Sequence, residues 1–112
     1  MSPVISKTVA VPANGSSTPL VGDQFEFADR DYFAEFGIVA DATGVVMTVY
    51  SGSDLLAQEQ PVIPRAAGAF PVEPDDFYLS DAIAVRERIN VLLRNTTGAI
   101  INARVVIKLT PI

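Results

Sequence analysis

Carboxylates are the reactive side chains this sequence supplies in number. Glu73, Asp75, Asp76 and Asp81 gather in PVEPDDFYLSD, and Asp23, Glu26, Asp29 and Asp31 in GDQFEFADRD. Two facing carboxylates can divide the roles of glycoside hydrolysis, and several oxygen donors on one loop can hold Ca²⁺. Neither run has the ligand spacing of a calcium loop, and 112 residues leave little room for a catalytic cleft. Both clusters are expected to be solvated loop charge, with Asp29, Arg30 and Asp31 in a local ion pair of little energetic value. No metal and no other cofactor is expected.

Other chemistries lack their parts. The chain has no histidine and no cysteine, so Ser-His and Cys-His pairs, thiolate zinc sites, Fe–S clusters and disulfides are excluded together. Ser51 and Ser53 flank Gly52 in YSGSD, the outline of a nucleophile turn, but no strand–turn–helix pattern follows. A strand-ending turn is the expected role. The glycines are scattered near turns and strand breaks and form no phosphate loop. Tyr32, Tyr50 and Tyr78 are the candidate ring platforms of a carbohydrate- or ligand-binding sandwich, which needs no catalyst. Asn95-Thr96-Thr97 and Asn14-Gly15-Ser16 fit the acceptor pattern for N-glycosylation.

Bulk properties narrow the partners. The net charge is −5, from 8 Lys+Arg against 13 Asp+Glu, and nucleic acid or an anionic membrane attracts a basic surface instead. No apolar run approaches the ~20 residues of a membrane helix, and the N-terminus lacks the continuous apolar core of a secretory signal. The hydrophobic share is nevertheless 49%. The apolar surplus must go either into the core or onto a surface buried by another chain.

Elements must hold these groups in place, and period-2 patterns dominate. Extended segments are expected at residues 4–11, 24–27, 32–40, 45–50, 55–60, 77–79, 88–94 and 100–110. Tyr32, Ala34, Phe36, Ile38 and Ala40 share one face. Pro12–Ser17 and Ser51–Asp54 read as turns, residues 63–76 as the longest loop, and 80–84 as a helical turn or corner. Pro61 and Pro64 confine the segment before them to an edge or an end. About eight short strands and no amphipathic helix make one all-β domain, residues 1–112, a sandwich or barrel. A two-layer meander and a jelly roll both fit.

Parity suggests a terminal hairpin. With Ile89, Val91 and Leu93 inward, a three-residue loop Thr96-Thr97-Gly98 sets Leu93 opposite Ile101, Val91 opposite Ala103 and Asn90 opposite Arg104. Gly98 then takes the left-handed conformation of a type I turn with a G1 bulge. The sequon becomes turn geometry. Arg88, Asn90, Leu92, Arg94, Asn102, Arg104, Val106 and Lys108 form one outward face, either solvated or covered by a neighbouring subunit.

Taken in order, TVAVPANGSSTPLVGDQFEF, GVVMTVYSGSDLLAQEQ, FPVEPDDFYLSDAIA and RINVLLRNTTGAIINARVVIKLTPI resemble small all-β virion proteins. The likeness is to single jelly-roll capsid or capsid-associated proteins of bacterial viruses. It implies a jelly-roll antiparallel β-sandwich that is not an enzyme and assembles through sheet faces and loops with copies of itself or other shell proteins. It also implies a place in the virion, after synthesis in the host cytoplasm. Phe70, Pro71, Phe77, Tyr78, Leu92, Arg94, Arg104 and Val106 are the expected contact residues. Lys7 is the only positive side chain before Arg30, so no basic arm reaches for a packaged genome and no direct nucleic-acid contact is expected.

Overall fold

Alternation of apolar and polar residues resolves into nine strands in the computed structural model, which describes residues 4–23, 26–66, 69, 71, 77 and 79–112. They are β1 (Val4–Val11), β2 (Ser16–Ser17), β3 (Tyr32–Ala40), β4 (Val45–Ser51), β5 (Asp54–Pro61), β6 (Ile63–Pro64), β7 (Leu79–Ile83), β8 (Ile89–Asn95) and β9 (Ile101–Pro111). No helix occurs among the described residues. One sheet has the order β1-β9-β3, and the far edge of β3 is shared by antiparallel β7 and the short parallel β6. The second has the order β2-β8-β4-β5.

The antiparallel partners nest. β1 pairs with β9, β2 with β8, β3 with β7 and β4 with β5. A long hairpin rolled upon itself gives this nesting, with β6 as an addition. The all-β sandwich expected from the sequence is therefore the observed fold.

The core lies between the sheets. Ala34, Phe36 and Ile38 on β3 meet Val45, Met47 and Val49 on β4, joined by Val91 and Leu93 of β8 and Val105, Ile107 and Leu109 of β9, all at most 1% exposed. Each such large apolar side chain contributes roughly 1.5–3 kcal/mol by leaving water. The side-chain parity read from the sequence is correct for β3, β8 and β9.

Strand pairing departs from expectation in one important place. β8 pairs with β2 and β4, and β9 with β1 and β3, so the terminal hairpin does not form. Residues 96–100 instead cross from one sheet to the other. Leu93 and Ile101 still both point into the core, because inward parity on two strands is met equally well by partners in one sheet or by strands in facing sheets. Gly98 is not in the left-handed region; among the described residues the positive-φ glycines are Gly22, Gly44 and Gly52. The expected single outward face accordingly splits, with Arg88, Asn90, Leu92 and Arg94 on one sheet and Asn102, Arg104, Val106 and Lys108 on the other.

Two local corrections follow. Residues 80–83, expected as a helical turn or corner, belong to β7, held against β3 from Tyr32↔Ile83 to Phe36↔Leu79. Their Ser-Asp-Ala composition has little β preference, and pairing with β3 overrides it. Around Phe27 no strand forms; that residue makes an isolated bridge to Arg88, while Gln24 and Phe25 lie outside the described residues.

Candidate functional site

The sequon corner shows how completely polar groups are absorbed into the fold. Asn95 ends β8 on the inward parity and is 1% exposed. Its Nδ2 donates to the carbonyls of Val11 (3.1 Å) and Ala99 (2.6 Å). Its Oδ1 accepts from the backbone N–H and the Oγ1 hydroxyl of Thr97, at 2.8 and 2.7 Å. An amide nitrogen that holds two carbonyls inside the fold is no glycan acceptor. Asn14, with φ 52°, sits in the adjoining turn and donates its N–H to the Thr97 carbonyl at 2.9 Å. Thr96 donates to the Gly44 carbonyl from both its N–H (2.8 Å) and its hydroxyl (2.7 Å). Gly44 has φ +114°, and a Cβ there would overlap Thr97 Cγ2. The sequon is thus turn chemistry, through an Asx-type corner instead of the expected hairpin loop.

At the opposite end of the sandwich the carboxylates are largely tied to neighbours. Asp23 pairs with Lys7 at 2.6 Å and Glu26 with Arg88 at 2.9 Å. Asp29 accepts the Tyr32 hydroxyl at 2.5 Å, and that hydrogen bond, followed by burial and the Asp29 charge, raises the phenol above its ordinary 10.0. Asp31 accepts from Val85 N–H at 2.9 Å; the expected 29–31 ion pair gives way to these bonds. An open groove of about 480 Å³ runs beside β1 between Val4–Lys7 and Val21–Asp23, and the Lys7–Asp23 pair sits in it.

Asp54 and Asp81 join the edge strands of the two sheets, β5 and β7. The hydrogen bond and charge of Asp81, then desolvation and Glu87, raise the Asp54 carboxyl above its ordinary 3.8. Asp81 Oδ2 is buried without a hydrogen-bond partner. No trio of Asp, Glu, His or Cys among the described residues is arranged to hold a metal, and Glu73, Asp75 and Asp76 lie outside them.

The remaining candidates separate. Ser51 is 2% exposed with its Oγ buried and unpartnered, and Gly52 turns the β4–β5 hairpin at φ +61°; this is a turn of the two-residue type with glycine first. Tyr32 is 2% exposed and offers no ring face. Tyr50 is exposed, and Tyr78 lies outside the described residues.

Of the expected contact residues, Phe70 and Tyr78 also lie outside the described residues. Pro71 and Phe77 fold back on their own sheet: a Cβ on Gly37 of β3 would meet Phe77 at 2.8 Å and Pro71 at 2.9 Å. The Lys108 ammonium stands 5.2 Å from the Phe77 ring centroid, a cation–π contact. Arg104 is outward by parity yet 3% exposed, because it bonds the Asp41 carboxylate and the Ala69 carbonyl. Its expected role as a contact residue is corrected: Asp41 and Ala69 of its own chain hold it in place. Val106 is half-buried. On the other sheet Leu92 is half-buried and Arg94 is exposed in an ion pair with Glu59 at 2.8 Å.

Sequence reasoning missed Asp41, Glu59, Phe27 and Leu55. Asp41 has no sequence signal linking it to Arg104, 63 residues away. Leu55 does: it begins the segment after a tight turn and must share a face with its partner Tyr50.

No family model and no curated protein matches this sequence. A solved structure of Bacillus endospore appendages, described as a novel family of disulfide-linked pili, aligns over 100% of this chain and 92% of its own, with 15% identity and a TM-score of 0.35. At that score the fold rests on the strand pairing above, and the function on the side chains.

Proposed function

We propose that this chain is a non-enzymatic structural subunit that assembles through its surface, and that the assembly is the virion shell of a bacterial virus, either as a shell subunit or as one that decorates it. The observation that carries the reading is apolar exposure on a well-packed sandwich. Val4, Val21, Phe27, Phe33, Tyr50, Leu55, Val85, Ile100 and Ile112 are all between 39% and 76% exposed, while the core between the sheets is filled. A chain of this size has enough inward positions for its core, so these side chains are left for a partner. The nested strand pairing, which fits a jelly roll, and the resemblance of most of the chain to small virion proteins favour a shell. The acidic net charge, −5, favours a place away from the genome.

The binding-module alternative is weakened by Tyr32, whose ring is buried and whose hydroxyl is committed to Asp29. Sedimentation velocity over a wide concentration range, with electron microscopy of the concentrated protein, tests the proposal. Discrete larger particles, or co-sedimentation with shells of the virus, are expected. A chain that stays monomeric throughout and binds no shell contradicts it.

A further inference from the structure

The two sheets treat their outer faces differently, and the difference selects one contact surface. On the β2-β8-β4-β5 sheet, cross-strand pairs place Tyr50 beside Leu55 and Asn90, Thr48 beside Leu92, and Val46 beside Arg94 and Pro61. Tyr50 and Leu55 are 39% and 45% exposed, and Phe27, bridged to Arg88 at the lower border, is 54% exposed. The apolar middle is bracketed by two ion pairs, Arg88–Glu26 and Arg94–Glu59. Each cation already has its anion, so this face is neutral on a chain of charge −5. A second copy laid against it meets no like-charge repulsion and leaves no buried charge unmatched.

Size and edges point the same way. The molecule measures 41 × 24 × 21 Å, so its broad face can supply close to the ~800 Å² per partner of a standard interface. Edge-to-edge growth is discouraged. β5 is irregular, with register shifts, Glu59 at φ 51° and Pro61 at its end. β1 carries Lys7 on the inward parity of Ile5 and Val11, paired with Asp23. Twisted, proline-bearing and inward-charged edges are devices against strand addition.

We infer that the outer face of the β2-β8-β4-β5 sheet is a homotypic two-fold interface in which Tyr50, Leu55 and Leu92 pack against the same residues of a second copy. This rests on the self-assembly reading and names its partner and surface. A two-fold contact uses one patch twice and closes at two copies, so further growth of a shell would use the loops at the sandwich ends.

Sedimentation equilibrium of the full chain tests the inference with Leu92→Asp, the uncharged Leu92→Gln, and Ile100→Asp as a control outside the face, where Ile100 is 68% exposed. Circular dichroism checks that each variant folds. The expected result is a dimer in the wild-type chain, weakened about tenfold or more by either Leu92 change and unaltered by Ile100→Asp. A wild-type dimer that survives both Leu92 changes overturns the surface and leaves self-assembly standing. A wild-type chain that is monomeric throughout overturns the homotypic contact; if that monomer co-sediments with shells the decorating role stands, and if it binds no shell the structural-subunit reading falls as well.

Discussion

The outer faces of the two sheets have similar alternation, and part of one of them is covered by the chain itself. On the β1-β9-β3 sheet, Gly37, Val39 and Arg104 point outward and are nonetheless buried, because Pro71, Phe77 and Ala69 return over them. On the β2-β8-β4-β5 sheet, Tyr50, Leu55 and Leu92 also point outward and no described segment returns over them. Outward parity therefore does not mean exposure. A sheet face is finished either by its own long connection or by another molecule, and the described residues of the proline-rich connection, Ala69, Pro71 and Phe77, lie on the β1-β9-β3 face.

Removing the anchor of the covered face should have the largest effect. Asp41→Ala strips the charge partner from Arg104, which is 3% exposed, and breaking a buried pair from one side costs about 3–5 kcal/mol. Because Asp41 keeps some access to water, with its side chain 22% exposed, the lower end of that range is expected in urea unfolding. A cost within ~0.5 kcal/mol, typical of plain surface positions, would mean the cover is not anchored there.

Gly37→Val should come next. The added carbons meet Phe77 and Pro71 at 2.8–2.9 Å from Cβ onward, and overpacking of this kind costs about 1–3 kcal/mol. Thermal unfolding of the variant should fall, and binding of a hydrophobic dye should rise as the cover lifts. The same glycine on an uncovered face would accept valine, a good strand former, with little change.

The smallest effect concerns the seam where the two sheets meet at β5 and β7. Asp54 has a folded carboxyl raised above 3.8 by its hydrogen bond to Asp81. The folded state therefore binds more protons than the unfolded one between 3.8 and the raised value. Its contribution to stability is complete below 3.8 and is lost as pH rises through the raised value. Asp54→Asn should remove that decline, so urea midpoints of wild type and variant should diverge as pH increases from about 3.5 to 7. Parallel midpoints would show that the Asp54 carboxyl is not raised in the folded state.

Much of the fold was legible because burial on one face of a strand imposes period 2, and the runs around Phe36, Met47, Val91 and Val105 obey it. Pairing was not legible. Leu93 and Ile101 have the same inward parity whether residues 96–100 turn a hairpin or cross between sheets, and only contacts distant in sequence, such as β1 with β9, decide the matter. Residues 80–83 were misread because strand structure there comes from β3 and not from Ser80, Asp81 and Ala82 themselves. Among candidate contact residues, Leu92 and Arg94 were placed on an open face, whereas Arg104 was not, since the alternation that turns it outward carries no information about Asp41 or Ala69. Asn95 was recognised as turn chemistry, but its four side-chain hydrogen bonds depend on strand ends brought together only by the sandwich.

The contrast between the faces is tested most directly by disulfide trapping, because the chain contains no cysteine and a single introduced thiol reports one position. Leu92→Cys and Val106→Cys place that thiol at half-buried outward positions on the open and the covered sheet, respectively. Under mild oxidation the Leu92→Cys chain should form a covalent dimer rapidly and the Val106→Cys chain should not. Equal cross-linking of the two, or dimer from Val106→Cys alone, would contradict the assignment of the open face as the contact between copies.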